Sequence, residues 1–278
     1  MYTTNTPTIS VAILDMYEGA ANQGMRCIKE LLNQYAEQED ITIAYTVYEV
    51  RLKKEIPNLG YDFYISTGGP GSPIDSTGSQ WELAFNTFLQ KLISHNLVNE
   101  QKKYMFFICH SFQLACKFFN IGELSKRKST SFGVFPISML PSGGSEAIFE
   151  GLHNPFYVVD SRDYQVINPN LGNVNALGAS ILAIEKERLH VALPRAVMAV
   201  RFNAYMFGTQ FHPEADAMGM RMHLQTDEKK KTVIENHGEQ KWASMIDQLA
   251  DPEKIMYTYN HIFPNYFKLA ISLVPTLS

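Results

Sequence analysis

Three groups with chemical potential stand far apart in this sequence: Cys109, the pair His212 and Glu214, and a glycine-rich run at 67–73. Cys109 lies within YMFFICHSFQLACKFF (residues 104–119), where strand-type residues run into the cysteine and an apolar segment of helical length begins directly behind it. Such a strand–turn–helix corner lifts the residue at the turn clear of the sheet. It also sets that residue at a helix N-terminus, whose free N–H groups favour a thiolate over a thiol. Taken alone, the stretch reads more readily as a buried core cysteine, the commoner fate of that residue. His212 and Glu214 are two apart in FHPE, so in extended chain both point the same way. The carboxylate can then hold one imidazole nitrogen while the other faces a nucleophile; a His-Pro turn with a solvated glutamate suits the same residues. Thr67-Gly68-Gly69-Pro70-Gly71-Ser72-Pro73 lacks the lysine and hydroxyl residue of a phosphate-binding P-loop. Its glycines suit a loop whose backbone N–H groups approach a ligand oxygen without obstruction by Cβ atoms.

Positioning these groups requires a sheet. Residues 8–14 (TISVAIL), 41–50 (ITIAYTVYEV) and 62–66 (DFYIS) have strand character, and Ala21, Met25, Ile28, Leu32 and Tyr35 repeat at helical spacing between the first two. Trp81, Phe85, Phe88 and Leu92 form a second helical stripe, read as a core face. Strand–helix–strand alternation implies right-handed crossovers and a parallel sheet covered by helices. In such sheets ligands sit at the carboxyl ends of strands, where the glycine-rich run and Cys109 both fall. From Phe132 to Leu193 the pattern is β-rich and broken by Gly, Pro and Asn, which fits an antiparallel edge added to a parallel sheet. Residues 197–202 and 205–210 pair as a hairpin around Asn203-Ala204 and deliver FHPE to a strand end. Beyond Ala215 the chain turns polar and helix-prone; Trp242, Met245, Ile246 and Leu249 repeat at helical spacing, and an aromatic-rich helix runs to about Leu273.

The chain has 278 residues, 45% of them hydrophobic, enough for a full core. Its net charge of −4 supplies no attraction for nucleic acid or anionic membrane. Three cysteines without a CxxC pair argue against a disulfide framework and against a zinc site. No apolar run approaches membrane-spanning length and the N-terminus has no apolar signal core, so a cytoplasmic protein is expected.

The three stretches, taken in chain order (the glycine-rich run, Cys109, then FHPE), resemble those of the class I (triad) glutamine amidotransferases. That family's oxyanion loop, Gly-Gly-Pro-Gly-Ser, is unbroken at Gly68 to Ser72, and its Gln-Phe-His-Pro-Glu is complete at Gln210 to Glu214. Its nucleophile motif, Gly-x-Cys-x-Gly-His-Gln, is matched at Cys109 and Gln113. Residues 132–136 (FGVFP) and 148–152 (IFEGL) also look like the branch near the GMP synthase amidotransferase domain. The resemblance covers roughly residues 8 to 216. It implies an α/β, three-layer, mostly parallel and flavodoxin-like sheet with helices on both faces over residues 1–216, and a C-terminal helical extension at 217–278 packed on it.

The resemblance further implies a Cys109–His212–Glu214 triad that hydrolyses the side-chain amide of glutamine through a γ-glutamyl thioester, with Gly69 and His110 N–H groups as oxyanion donors. Gly68 and Gln113 would contact the substrate, and no metal or cofactor is expected. The residues after the matched region are too few for a catalytic domain, so ammonia would pass to a separate synthase subunit, or the protein would be a free-standing hydrolase. Where the family carries glycines around the nucleophile, this chain has Phe107 and Ser111; Phe112 replaces a histidine, Ser131 a glutamate, and Arg162 a histidine of the substrate-side loop. Those changes leave two alternatives. One is hydrolysis of another γ-glutamyl amide or peptide, with Arg162 on an extra carboxylate; the other is a catalytically silent binding or regulatory protein.

Overall fold

A computed structural model describes residues 8–190, 192–251 and 253–272. The first half alternates as expected. It runs β1 (Thr8–Asp15), α1 (Gly24–Gln38), β2 (Thr42–Glu49), the single turn α2 (Val50–Lys53), β3 (Phe63–Ser66), α3 (Gln80–Val98), β4 (Tyr104–Ile108) and α4 (His110–Phe118). Then come β5 (Glu123–Met139), α5 (Pro141–Gly144), β6 (Phe156–Ile167), α6 (Leu171–Ala176), β7 (Ser180–Glu185), β8 (Val197–Asn203) and β9 (Met206–Thr209). The helices α7 (Ala217–Leu224), α8 (Asp227–His237), α9 (Glu239–Gln248), α10 (Ile255–Tyr259) and α11 (Ile262–Ile271) follow. The predicted end of the last helix at Leu273 lies outside the described residues.

All the strands join one nine-stranded sheet in the order β2-β1-β3-β4-β9-β8-β7-β5-β6. From β2 to β9 neighbours run parallel. There successive side chains alternate between two cores: Val11, Ile13, Phe63, Ile65 and Phe106 face α1 and α11, while Ala12, Leu14, Tyr64, Met105 and Phe107 face α3 and α4. From β9 to β6 every neighbour is antiparallel.

The expectation of a three-layer, mostly parallel, flavodoxin-like sheet is therefore wrong. The sheet is mixed, and its antiparallel half curls into a half-barrel. The curl is visible in one pairing: Val159 of β6, the far edge strand, bridges to His212 just beyond β9, and the His212 N–H donates to the Val159 carbonyl at 2.9 Å. Two strands separated by three others in the sheet order meet only if the strands between them bend round. The register shifts inside β5–β6, β7–β8 and β8–β9 supply that bend, since each extra residue kinks a strand and increases its twist.

The helices after Asp216 do two different things. Met220, Leu224, Val233, Met245 and Leu249 form a small separate core against Val134 and Val159 of β5 and β6, making α7–α9 a cap on the curled half. Phe263, Tyr266 and Phe267 of α11 instead join the main core, with Phe263 4.9 Å and Tyr266 5.1 Å from the Phe106 ring. No helix among the described residues is long and apolar enough to cross a membrane.

Candidate functional site

Strand β4 ends at Ile108, and Cys109 occupies the corner before α4 with φ 48° and ψ −100°. A non-glycine residue there is strained and persists only where its surroundings hold it. The Cys109 N–H donates to the Thr209 carbonyl at 2.8 Å and its carbonyl accepts from the Gln113 N–H at 3.0 Å. Ser111 pins the corner from beneath: its Oγ accepts from the Ile108 N–H at 2.9 Å and donates to the Ser66 carbonyl at 2.7 Å.

Phe107, a bulky residue where glycine was expected, is accommodated by its neighbour. It pairs with Gly208 on β9, and a Cβ at Gly208 would lie 2.9 Å from the Phe112 ring and 3.1 Å from Phe107 Cβ. The space that the family motif provides on the nucleophile strand is provided here across the sheet, and Phe107 and Phe112 fill it against Phe202. Gly208→Ala should therefore overpack this corner and cost about 1–3 kcal/mol, read as a lowered midpoint in urea with an unchanged slope.

The sulfur of Cys109 lies 3.6 Å from the Ser161 carbonyl and accepts from Gln210 Nε2 at 3.7 Å. His212 stands beside it, because Gly68 leaves room: a Cβ there would fall 2.9 Å from His212 Cε1 and 3.5 Å from Cys109 Cβ. His212 Nδ1 is 2.8 Å from Glu214 Oε1. A carboxylate only accepts, so Nδ1 carries a proton and Nε2 is the nitrogen left to exchange a proton with Cys109. Glu214 reaches the ring from a turn closed by Ala215 N–H to the His212 carbonyl at 3.3 Å, not from the extended chain expected. Burial of His212 pulls its pKa down, but the Glu214 charge and the contact with Cys109 outweigh it and raise it well above its ordinary value. Glu214 is 1% exposed and His212 15%.

The glycine-rich loop lies across from these groups. Gly69 passes so close to β1 that a Cβ would meet the Met16 carbonyl oxygen at 2.2 Å. Among the described residues neither the Gly69 nor the His110 N–H is used in a loop or cap hydrogen bond, and His110 opens α4, where N–H groups have no intrahelical partner. The His110 ring turns into the core near Trp81, 6.4 Å between centroids. Burial, with the Arg51 and Lys117 charges, drives its pKa down to about 3. It is a neutral core group.

Gln113 is buried, and its Nε2 donates to the Tyr164 carbonyl at 3.1 Å and to Gln210 Oε1 at 3.0 Å. Arg162 is among the residues that wall the cavity at Cys109, and its guanidinium, 1% exposed, is tied to carboxylates: Nε donates to both Asp160 oxygens at 2.9 and 3.1 Å and Nη2 lies 3.4 Å from Glu185.

Residues not singled out from the sequence complete the site. Tyr17 lays its hydroxyl over Gly24 and Gly68, next to Glu214 and His212, and burial with the Glu214 and Cys109 charges holds it as the neutral phenol. Arg51 donates from Nη1 to the carbonyls of Met16 at 3.0 Å and Pro70 at 2.5 Å, clamping the glycine-rich loop to the end of β1. Nothing in their local sequence pattern marks Tyr17 or Arg51, whereas Gln210 stood inside a recognised motif. Cys27 and Cys116 are kept as thiols by burial, which pushes Cys27 up to about 12 and raises Cys116 well above the ordinary thiol value. Cys109, His212, Glu214, Gly69, Gln113 and Tyr17 line a cavity of about 410 Å³ whose walls come from the β1–α1 loop, the glycine-rich loop, β5, β6 and helices α7 and α8.

The curled mixed sheet and this constellation define an amidotransferase-type α/β protein. The profile of the class-I glutamine amidotransferases matches residues 24–231, and the chain belongs to that family. No curated protein sequence matches it. Among solved structures, a glutamine amidotransferase of Thermotoga maritima superposes with a TM-score of 0.65 at 12% identity, over 94% of this chain and 98% of that one. A Thermoplasma acidophilum protein described as one subunit of a GMP synthase gives 0.55 at 15% identity, over 95% and 94%. The glutaminase domain of a Trypanosoma brucei CTPS with bound acivicin gives 0.59 at 13%, over 97% and 96%. At such identities the likeness is one of fold.

Proposed function

We propose that the protein hydrolyses the side-chain amide of glutamine to glutamate and ammonia, with Cys109 as nucleophile, His212 as proton carrier and Glu214 as the group that orients and charge-stabilises the imidazole. The observation that carries this reading is the His212–Glu214 contact at 2.8 Å with the ring set against Cys109. Nε2 of His212 takes the thiol proton and the thiolate attacks the amide carbon. The tetrahedral oxyanion then finds the N–H groups of Gly69 and His110, each such donor typically worth about 3 kcal/mol of barrier. His212 returns the proton to the departing nitrogen, ammonia leaves, and water delivered through the same imidazole cleaves the thioester to glutamate. Membership of the amidotransferase family, and the description of the T. acidophilum relative as part of a GMP synthase, support an acceptor enzyme on another chain.

A second reading, hydrolysis of a γ-glutamyl compound larger than glutamine, is favoured by the cavity. Its volume of about 410 Å³ falls in the range of sites for drug-sized ligands, about 300–1,000 Å³. Ammonia and glutamate released from glutamine and from γ-glutamyl dipeptides by the purified protein decide between them. Turnover of glutamine that Cys109→Ser loses supports the first reading, turnover of dipeptides alone the second. Failure of both substrates overturns the proposal.

A further inference from the structure

The cap contributes a cation to the cavity that holds Cys109. Lys229, in the first turn of α8, extends over Phe132 of β5 with Nζ 4.2 Å from the ring centroid. The His223 ring approaches the same phenylalanine at 6.0 Å. All three residues, with Thr130 and Asp163 of the curled sheet, wall the cavity that also opens onto Cys109 and His212. The charged groups facing Lys229 are Glu228 on its own helix and Asp163 on β6. Asp163 accepts a hydrogen bond from the Thr130 hydroxyl, and among the described residues no carboxylate forms an ion pair with the Lys229 ammonium. Partial burial makes that ammonium less favourable than in water, and the aromatic face compensates only in part. An anion entering the cavity would gain from it.

We propose that α8 completes the substrate site, with Lys229 holding a carboxylate at the end of the substrate remote from the scissile amide. A glutamine whose amide meets Cys109 presents an α-carboxylate and an α-ammonium at its other end, and Lys229 and Asp163 offer the two opposite charges. The site then takes free glutamine, or a γ-glutamyl compound whose carboxylate is unblocked, and refuses a glutaminyl residue within a protein. This rests on the amide-hydrolase reading above, and it assigns to the cap the task of selecting substrate.

Calorimetric binding to the Cys109→Ser protein, which needs no turnover, tests it with glutamine and with glutaminamide, whose carboxylate is masked. Glutamine is expected to bind at least tenfold tighter. Lys229→Met in that background should weaken glutamine about tenfold and leave glutaminamide within twofold, while Lys229→Arg keeps the preference. Thermal melts check that each variant is folded, and Lys229→Gln replaces the methionine variant if that one melts early. A preference that survives loss of the lysine, equal weakening of both ligands, or binding of neither overturns the inference. Absence of turnover by the unaltered protein, with the binding preference intact, would instead sink the hydrolase reading.

Discussion

On the proposed mechanism Cys109→Ala should abolish amide hydrolysis, with a fall of at least about 10⁴-fold in kcat, because removing the nucleophile of a triad leaves only binding and oxyanion stabilisation. The same substitution should also remove the site of mild alkylation. Burial pushes Cys27 up to about 12 and raises Cys116 well above the ordinary thiol value, so neither offers appreciable thiolate at neutral pH. Iodoacetamide at pH 7 should therefore add a single label to the native protein and none to Cys109→Ala, read by intact mass. Two labels on the native chain, or substantial turnover by the alanine variant, would remove the cysteine from the chemistry.

Glu214→Gln produces the second large effect, a drop of about 10³- to 10⁴-fold in kcat/KM with KM little changed, the scale seen when a triad carboxylate becomes an amide and the imidazole loses its tautomer. A stability signature accompanies it. Burial alone lowers the His212 pKa, and the Glu214 charge, followed by the contact with Cys109, raises it well above the ordinary value. A group whose pKa is raised on folding stabilises the fold fully below its unfolded pKa, and that contribution disappears as pH climbs through the folded value. The native protein should thus exceed Glu214→Gln in stability most between about pH 5 and 6.5, and the gap should narrow as pH rises through the elevated pKa of His212. Denaturant titrations of both proteins across pH 5–10 measure this. A gap that widens toward alkaline pH would mean that Glu214 does not hold a protonated His212.

How much of this was legible in the sequence depends on which forces were local. The parallel half could be read because strands such as TISVAIL and helices such as α1 carry their periodicity in consecutive residues. The glycine-rich loop, Cys109 and FHPE could be read because each is a contiguous motif. The curl could not. Short β-rich stretches announce strands, but the bend that brings Val159 to His212 arises from register shifts between strands distant in sequence. Arg162 was read as a substrate contact from its linear position in the family's motif, and that position gives no sign of the ion pairs it makes with Asp160 and Glu185. Phe107 looked obstructive for a similar reason: the glycine that accommodates it, Gly208, is its partner across the sheet and lies far along the chain. Lys229 carries no motif, and only the packing of α7–α9 on Val134 and Val159 brings its helix to the cavity.

The place of α11 bears on how the protein is made. Phe263, Tyr266 and Phe267 cover the face of Phe63 and Phe106 on the strands that lead to the glycine-rich loop and to Cys109. While a ribosome is still translating earlier codons, those aromatic faces have no cover, and the nascent chain must carry them exposed. Chaperone engagement should therefore persist until residues 262–271 have emerged from the exit tunnel and covered those faces.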